Sequence, residues 1–466
     1  MMKRFLSIFI ISLLIGTFIP ITSVRCSEND KFFHGVVYKQ ATSLDSQFFH
    51  SGGALRDQPK SSIISTMTNA LTAASFFNEY DTGGSIDLLN IGHRIINTSS
   101  KYFRLNFHSD RRGWVSSYDY TKGTESFVKS RKYTHDQFLM LLGLANSYLK
   151  LEYNDPKRPD YLEDYNQTYE FIQEYLIEPN GWIDSIFTFN ETLYTKNRFK
   201  IVEHICWAIW ASLNLPTGFQ SPLSFESILE MADFLDDNGT LNGAIYNVVT
   251  PDGKFTDSIF KLRTNALYGV INLLLYEKTQ DSKFLNRGKA VYDFLVNNLW
   301  DRGFKLFFDV VAENGLLLVQ GKSLIGNALA ALLSSRLCRY FPTNSSILSI
   351  YVLSNSYMEQ YHKQVGSSNY YISCSTDGYP LTSPFTLESN LIRLWQRINS
   401  LHLINGTYSS SVSIGEKIPI ILNMANPDNL TYEILVNGEE IEPFNLTTSE
   451  SNPSIMVSLK KNAEIG

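Results

Sequence analysis

The sequence predicts an all-α protein built as a closed ring of about six helical hairpins, followed by a short β segment. Three observations lead to this fold class: a motif that recurs at intervals of 61 to 68 residues, an apolar helix that begins at each copy, and period-two alternation from about residue 409. A repeat of this length indicates a repeat architecture, because each unit is one supersecondary element that packs on the next.

The first residues predict a secretory signal peptide over residues 1–27. Lys3 and Arg4 precede an apolar run from Phe5 to Thr22, which is the charge pattern of such a segment. The run is at the lower length limit for a membrane span, so we expect membrane contact only if it stays uncleaved. Eight Asn-x-Ser/Thr sequons fit a glycoprotein that is secreted or held on the extracytoplasmic cell surface.

The repeat itself is anchored by one polar residue in each unit. Thr68-Asn69-Ala70-Leu71 recurs as Thr264-Asn265-Ala266-Leu267 and as Gly326-Asn327-Ala328-Leu329. The six anchors are Asn69, Gln137, His204, Asn265, Asn327 and Asn390, separated by 68, 67, 61, 62 and 63 residues. This regular spacing predicts a helical domain over residues 28–404.

Each unit reads as a buried inner helix, an amphipathic outer helix and an aromatic β connector. The run after Asn265 is apolar nearly all round, whereas residues 284–299 alternate as a surface helix does. Connectors are predicted at residues 113–120, 181–189, 243–253, 303–311 and 369–378. No sixth outer helix is obvious after Leu401; either residues 29–58 supply the closing element or the ring is imperfect.

The last part of the chain, residues 408–466, predicts a β-rich segment. Period-two patterns occur at 412–414, 417–423, 430–436 and 454–459. About four strands are too few for a complete immunoglobulin-like sandwich, so an incomplete module is expected.

The anchors, the aromatic connectors and the repeat length resemble the six-hairpin, or (α/α)6-barrel, superfamily. That group includes six-hairpin glycosidases, the N-acylglucosamine 2-epimerase family and the helical part of thioredoxin-domain-containing proteins. The resemblance covers about residues 60–401. It is closest over Arg263 to Asp309, where Asn-Ala-Leu at the start of the helix and Gly-Phe at the start of the β turn are similar to the epimerase branch. It implies a toroid with a polar central cavity and a glycan or oligosaccharide substrate.

Acidic residues at the starts of inner helices indicate one possible chemistry. Asp136, Glu203 and Glu388 lie where the helix starts should converge on the cavity mouth. Glycoside hydrolysis needs one protonated and one ionised carboxyl group, and such a cavity can separate their pKa values. The alternative is helix capping, since an acid is favoured at a helix N-terminus.

Two histidines indicate a rival chemistry. His135 and His204 occupy adjacent repeats at comparable depth, and imidazole can move a proton beside a carbonyl, as epimerisation requires. A buried histidine with a purely structural role is the alternative.

The expected substrate-binding residues are polar anchors, a cation and rim aromatics: Asn69, Gln137, Arg263, Asn265, Asn327, Asn390, Trp114 and Trp182. Basic residues such as Arg263, Lys200 and Lys322 precede inner helices, where they oppose the helix dipole. Either an anionic sugar or nearby carboxylates must compensate them. The two tryptophans either stack on a sugar or pin the connectors to the helices.

Several classes are excluded by the sequence. The net charge of -6 gives no sequence-wide basic surface, so no nucleic-acid partner is expected. Phosphate-binding glycine loops, His/Cys clusters and HExxH patterns do not occur, so neither a metal nor another cofactor is expected. The sequence therefore favours an exported glycoside hydrolase-like protein, with a 2-epimerase-like isomerase or a non-catalytic glycan- or peptide-binding surface protein as alternatives.

Overall fold

The computed structural model describes residues 28–458 except 84, 104–112, 120–126, 130, 179–185, 191–192, 198–199, 251–253, 255–257, 342–343, 365–369, 376–385, 401–403, 408–416, 425–434, 437–438, 441–445 and 450–451. The predicted signal peptide thus lies outside the described residues. In the described part of the chain, no helix has the length and apolar character needed to cross a membrane.

Twelve α-helices are described, and they alternate between an inner and an outer layer. The inner helices are α2 (Thr66–Gly83), α4 (Thr134–Lys150), α6 (Val202–Leu213), α8 (Leu262–Thr279), α10 (Leu324–Tyr340) and α12 (Leu387–Ser400). The outer helices are α1 (Glu28–Phe48), α3 (Ile86–Phe103), α5 (Arg158–Phe171), α7 (Phe225–Gly239), α9 (Ser282–Asn298) and α11 (Ser345–Tyr361). A π-helical turn, Ile172–Leu176, extends α5.

The two layers follow from how apolar residues are distributed along each helix. In α8 every residue from Thr264 to Leu275 is buried, so this helix is surrounded by protein. In α9 the buried residues recur at helical spacing, from Phe284 through Gly288 and Val291 to Leu295. One face of α9 therefore covers the inner layer while the other meets solvent.

Short antiparallel strand pairs connect the two ends of five described hairpins, at one end of the ring. The strand before an inner helix pairs with the strand after the outer helix of the same hairpin. One residue pair from each of these five strand pairs is Ile64 with Tyr118, Lys132 with Phe187, Ile201 with Val248, Phe260 with Val311, and Ser323 with Ser373. The predicted connectors thus lie at the N-terminal ends of the inner helices.

The strands on the helical part of the chain are Ile63–Ser65, Ser117–Asp119, Phe127–Lys129, Arg131–Tyr133, Ile186–Asn190, Leu193–Asn197, Lys200–Ile201, Thr240–Leu241, Ala244–Ile245, Val248–Val249, Ile259–Lys261, Trp300–Asp301, Leu306–Phe307, Val310–Ala312, Leu317–Val319, Lys322–Ser323 and Ser373–Cys374. All their pairings are antiparallel.

The sixth hairpin is assembled from the two ends of the helical domain. Its inner helix is α12, and α1 takes the place of the outer helix, where the Arg397 Nη1 donates to the Gln40 Oε1 at 2.9 Å. The backbone N–H of Leu387 donates to the Asp57 carbonyl at 2.8 Å. The N–H of Leu262 binds the Asp309 carbonyl in the same way. Residues 49–57 are therefore the sixth connector, and the ring is closed.

Within its described residues, the part of the chain after the ring forms six strands: Ile404–Thr407, Lys417–Met424, Leu435–Val436, Glu439–Glu440, Leu446–Ser449 and Asn452–Ser458. Four of them form one antiparallel sheet in the order 404–407, 417–424, 452–458, 446–449. The strand expected at 412–414 lies outside the described residues. The described residues after the ring therefore form strands, as predicted for the β segment.

Candidate functional site

Arg263 brings together acids from two distant inner helices. Its Nε donates to Glu203 Oε1 at 2.7 Å, and its Nη2 forms ion pairs with Glu203 and, at 2.6 Å, with Glu388. The three residues begin α6, α8 and α12, so the starts of these helices converge, as predicted. All three side chains are partly exposed, which makes them accessible from the connector end.

The two histidines predicted from the sequence are in ring contact. The centroids of His135 and His204 are 4.1 Å apart, and Tyr133 lies within 5.5 Å of both rings. Burial, His204 and Arg263 together lower the pKa of His135 well below its usual value, so its imidazole is neutral. A neutral imidazole can accept a proton.

Asp136 follows His135 in the chain and is almost completely buried. Its Oδ1 is 3.5 Å from the Nε2 of His135. Burial raises the pKa of Asp136 well above its usual value, and the backbone N–H groups of Met67 and Tyr133 offset this only in part. The carboxyl group is therefore held in its protonated form.

Asp57, on the sixth connector, is a carboxyl group that sequence reasoning missed. Burial and the charge of Glu388 raise its pKa to about 6, although the hydroxyl of Ser65, which donates to its Oδ2 at 2.5 Å, opposes this shift. Its own charge also raises the pKa of Asp136. A signal did exist, because Asp57 holds the connector position that Asp309 holds in the fourth hairpin.

These residues form one cluster, called here the connector-side site: Asp57, His135, Asp136, Glu203, His204, Arg263 and Glu388. Glu203 and Glu388 oxygens bind a single nitrogen, so they lie less than roughly 6 Å apart, twice a hydrogen-bond length. Beside them lie Asp57 and Asp136, two carboxyl groups whose pKa values burial raises. The site therefore brings two ion-paired glutamates, two carboxyls that favour the protonated form and a neutral imidazole into one small region.

The amide anchors have a different role from the predicted one. The Asn265 Oδ1 accepts from the N–H of Ile245 at 2.7 Å, and its Nδ2 donates to the carbonyls of Ile245 and Lys261. The same amide clamp recurs at Asn69 on Leu55, Gln137 on Trp114, Asn327 on Phe307 and Asn390 on Tyr370. All five side chains are fully buried. They hold connectors in place, which corrects the prediction that they bind substrate.

The two rim tryptophans, Trp114 and Trp182, were expected to contact a sugar. Trp114 is fully buried, and its Nε1 donates to the Thr168 hydroxyl at 2.8 Å. It pins the first connector to α5 and offers no face to a sugar, which corrects the expectation of stacking. Trp182 lies outside the described residues.

Protein carboxylates compensate the cations that precede the inner helices. Lys200 is buried 3.4 Å from Glu178, and Lys322 is buried 3.1 Å from Asp301. Arg263 pairs with two glutamates. Of the two explanations that the sequence allowed, pairing within the protein accounts for these three residues. Across the described residues, no group of three His, Cys, Asp or Glu side chains is arranged to hold a metal ion.

No family model and no curated protein sequence matches this chain. Several solved structures are similar to it in fold. A D-mannose isomerase superposes with a TM-score of 0.68 at 10% identity, covering 81% of this chain and 100% of its own. The cellobiose 2-epimerase of Bacillus thermoamylovorans gives 0.63 at 11% identity, over 79% and 99% of the two chains.

An α-1,6-mannanase from Salegentibacter gives a TM-score of 0.55 at 10% identity, over 79% of this chain and 98% of its own. These likenesses extend over nearly the whole length of each matched structure. At such low identity they establish architecture alone, and the predicted fold class is confirmed: the chain adopts an (α/α)6-barrel fold.

Proposed function

We propose that the protein is an exported carbohydrate-active enzyme that hydrolyses a neutral glycan at the connector-side site. Asp57 is the general acid and Glu388 the ionised partner that attacks the sugar directly or through water. The observation that carries this is the different surroundings of two neighbouring carboxyls: burial raises the pKa of Asp57 to about 6, while Glu388 is ion-paired with Arg263. Acid/base hydrolysis requires one carboxyl that can hold a proton beside one that acts as a carboxylate.

The substrate class follows from the fold and the charges. The mannose isomerase, cellobiose epimerase and mannanase of the same fold are named for sugar substrates. Arg263, Lys200 and Lys322 are already neutralised by protein carboxylates, which favours an uncharged sugar. The charged and apolar start of the chain supports export.

The activity test uses α-1,6-mannan and cello-oligosaccharides as probes, with release of reducing ends as the readout. Asp57→Asn and Glu388→Gln should each lower the rate by at least about 100-fold, the usual contribution of an acid or base. Asp293→Asn removes an exposed carboxylate on α9 and should leave the rate unchanged. The wild-type rate should fall as the pH rises above about 6, because Asp57 then loses its proton.

A second reaction, isomerisation or 2-epimerisation of a reducing sugar, is favoured by the contact between His135 and His204. In the ring-opened sugar, one imidazole would take the C2 proton to give an enediolate. The proton would then return to C2 on the other face, which gives the epimer, or to C1 after the O2 proton has moved to O1, which gives the ketose. This reaction exchanges the C2 hydrogen with solvent, whereas hydrolysis does not.

Incubating mannose or cellobiose with the protein in heavy water separates the two reactions. Deuterium at C2 of an aldose or at C1 of a ketose, abolished by His204→Gln, would replace hydrolysis with 2-epimerisation or isomerisation. Sugar binding with neither deuterium uptake nor reducing-end release would contradict both reactions and favour the non-catalytic binder.

A further inference from the structure

A cavity opens at the end of the barrel opposite the connectors, where the inner helices end. Its volume is about 430 Å³, and it is lined by the last turns of α2, α4, α6 and α12 together with Pro216. That volume is in the range of small-molecule sites. Because the inner helices run through the barrel, the connector-side site lies at their other ends.

Asparagines at equivalent positions line this cavity. Asn78, Asn146, Asn214 and Asn399 follow their repeat anchors by 9, 9, 10 and 9 residues. In three of them, Asn146, Asn214 and Asn399, the Nδ2 donates to the helix carbonyl four residues earlier, at 2.9, 2.7 and 2.8 Å. Each of these bonds uses one N–H, so a second N–H and the amide oxygen are available on a partly exposed side chain.

Two tryptophans supply the apolar part of the wall. Trp210 and Trp395 are in edge-to-face contact at 5.5 Å, and both line the cavity. The side chain of Trp395 is 1% exposed, and its indole N–H has no hydrogen-bond partner within the described part of the chain. A buried donor without a partner is costly, so this indole is a polar group that the protein itself leaves unsatisfied.

The charges at the rim cancel each other. The Lys150 Nζ donates to both oxygens of Asp81, at 2.5 and 2.7 Å. With these two paired, the lining presents amides, indoles and aliphatic groups. Such a surface fits an uncharged, polyhydroxylated ligand that has both hydroxyl groups and apolar C–H faces.

An aromatic groove continues from the cavity. Leu149 lines both, and the groove adds Tyr148, Tyr165, Tyr169 and Phe219 over about another 430 Å³. Phe219 packs edge-on against Tyr148 and Tyr165, which fixes the orientation of these rings. A row of rings leading out of a pocket suits a chain longer than one sugar.

We infer that the cavity at the C-terminal ends of the inner helices, called here the far-end site, binds a neutral oligosaccharide independently of the connector-side site. One end of the chain lies between Trp210 and the asparagines, and the following sugars lie over Tyr148, Tyr165 and Tyr169. The inference does not rest on the proposed hydrolysis.

Tryptophan fluorescence and calorimetric titration test it, with mannotriose and cellotriose compared with mannose and glucose. The titrations use the full chain carrying Glu388→Gln, which prevents turnover. Saturable binding is expected, tighter for a trisaccharide than for its monosaccharide. Asn146→Leu and Asn214→Leu should each weaken it roughly tenfold, the effect of one lost hydrogen bond. Tyr169→Ala should remove the preference for the trisaccharide.

Asn298→Leu is the matched control, because Asn298 makes the same bond to a carbonyl four residues earlier on the outer helix α9. The affinity of the Asn298→Leu variant for the trisaccharides should equal that of the chain that carries Glu388→Gln alone. If Asn146→Leu impairs folding, the exposed Asn214 supplies the test. Unchanged affinity in Asn214→Leu, an equal loss in Asn298→Leu, or no saturable binding of any probe would overturn the far-end site. Loss of binding in Glu388→Gln/Asp57→Asn would assign the signal to the connector-side site.

Discussion

Arg263 shows how one residue balances the charges of the connector-side site. Without it, the carboxylates of Glu203 and Glu388 would face each other as unpaired like charges. Their two ion pairs, together with their hydrogen bonds, raise the pKa of the guanidinium although burial alone would lower it. The arginine thus pairs with both glutamates, while burial raises the pKa of the nearby Asp57 to about 6.

Asp57 should also reduce stability at alkaline pH. The pKa of an unperturbed aspartate is 3.8 and that of Asp57 in the fold is about 6, so folding favours the protonated acid. The stabilising effect is complete below pH 3.8 and is lost as the pH rises through 6. At about 1.4 kcal/mol per pKa unit, the charged form costs up to about 3 kcal/mol.

Asp57→Asn should therefore raise the free energy of unfolding by about 1 to 3 kcal/mol at pH 8 and change it little at pH 4. The amide oxygen can still accept the Ser65 hydroxyl. Urea unfolding of wild type and variant at both pH values measures this, with Asp293→Asn as an exposed control. An equal difference at pH 4 and pH 8 would contradict it. Together with lost hydrolysis, a gain in stability would identify Asp57 as a functional residue that the fold tolerates at a cost.

The sequence predicted some residues of this site and not others, for a physical reason. Glu203 and Glu388 stand beside repeat anchors, so the repeat located them. Asp57 lies on a connector formed by the N-terminal end of the domain, where no anchor marks the repeat. Its partner Leu387 is 330 residues away along the chain, and only ring closure brings the two together.

Among elements, the connectors explain why the repeat is visible in the sequence. Each clamping amide binds both the N–H and the carbonyl of one connector residue, 20 residues earlier for Asn265, Asn327 and Asn390. These backbone groups are buried and need partners. The polar anchors recur because the architecture needs them, and a ligand is not required to account for them.

Removing one clamp should destabilise the protein strongly. Asn265→Leu breaks three hydrogen bonds and leaves the N–H and carbonyl of Ile245 buried without that partner. At about 1 to 3 kcal/mol for each unsatisfied group, the loss should be about 3 to 5 kcal/mol in urea unfolding. Asn298→Leu, on the surface of α9, should cost less than about 1 kcal/mol. Similar losses in the two variants would contradict the clamp.

At the scale of elements, the hairpins and most connectors could be predicted, whereas their register could not. The apolar run after Asn265 and the amphipathic run after Phe284 became α8 and α9 because burial decides both patterns. The strands of the connectors are only two to five residues long. Such short strands are paired by the helices that carry them, so their partners cannot be read from local sequence.

The whole molecule is a ring whose closure depends on α1. Val37, Ala41, Leu44 and Phe48 on this helix are fully buried, and Gln40 binds Arg397 on α12. The sequence left open whether this segment closes the ring, because closure joins residues more than 350 positions apart. In a closed ring each hairpin has two neighbours, so a local loss of packing should weaken the entire domain.

Leu44→Ala distinguishes a closed ring from an open stack of hairpins. Removing this buried side chain should cost about 2 to 5 kcal/mol, a large share of the about 5 to 15 kcal/mol that stabilises a typical domain. In a closed ring the cost lowers the temperature of one cooperative calorimetric transition and speeds amide exchange in α8, on the far side of the ring. In an open stack, stability is a sum over neighbouring units, so α1 would melt in a separate early transition and exchange in α8 would stay at the wild-type rate. That second pattern would contradict closure through α1, since the loss would then be confined to the hairpins that α1 touches.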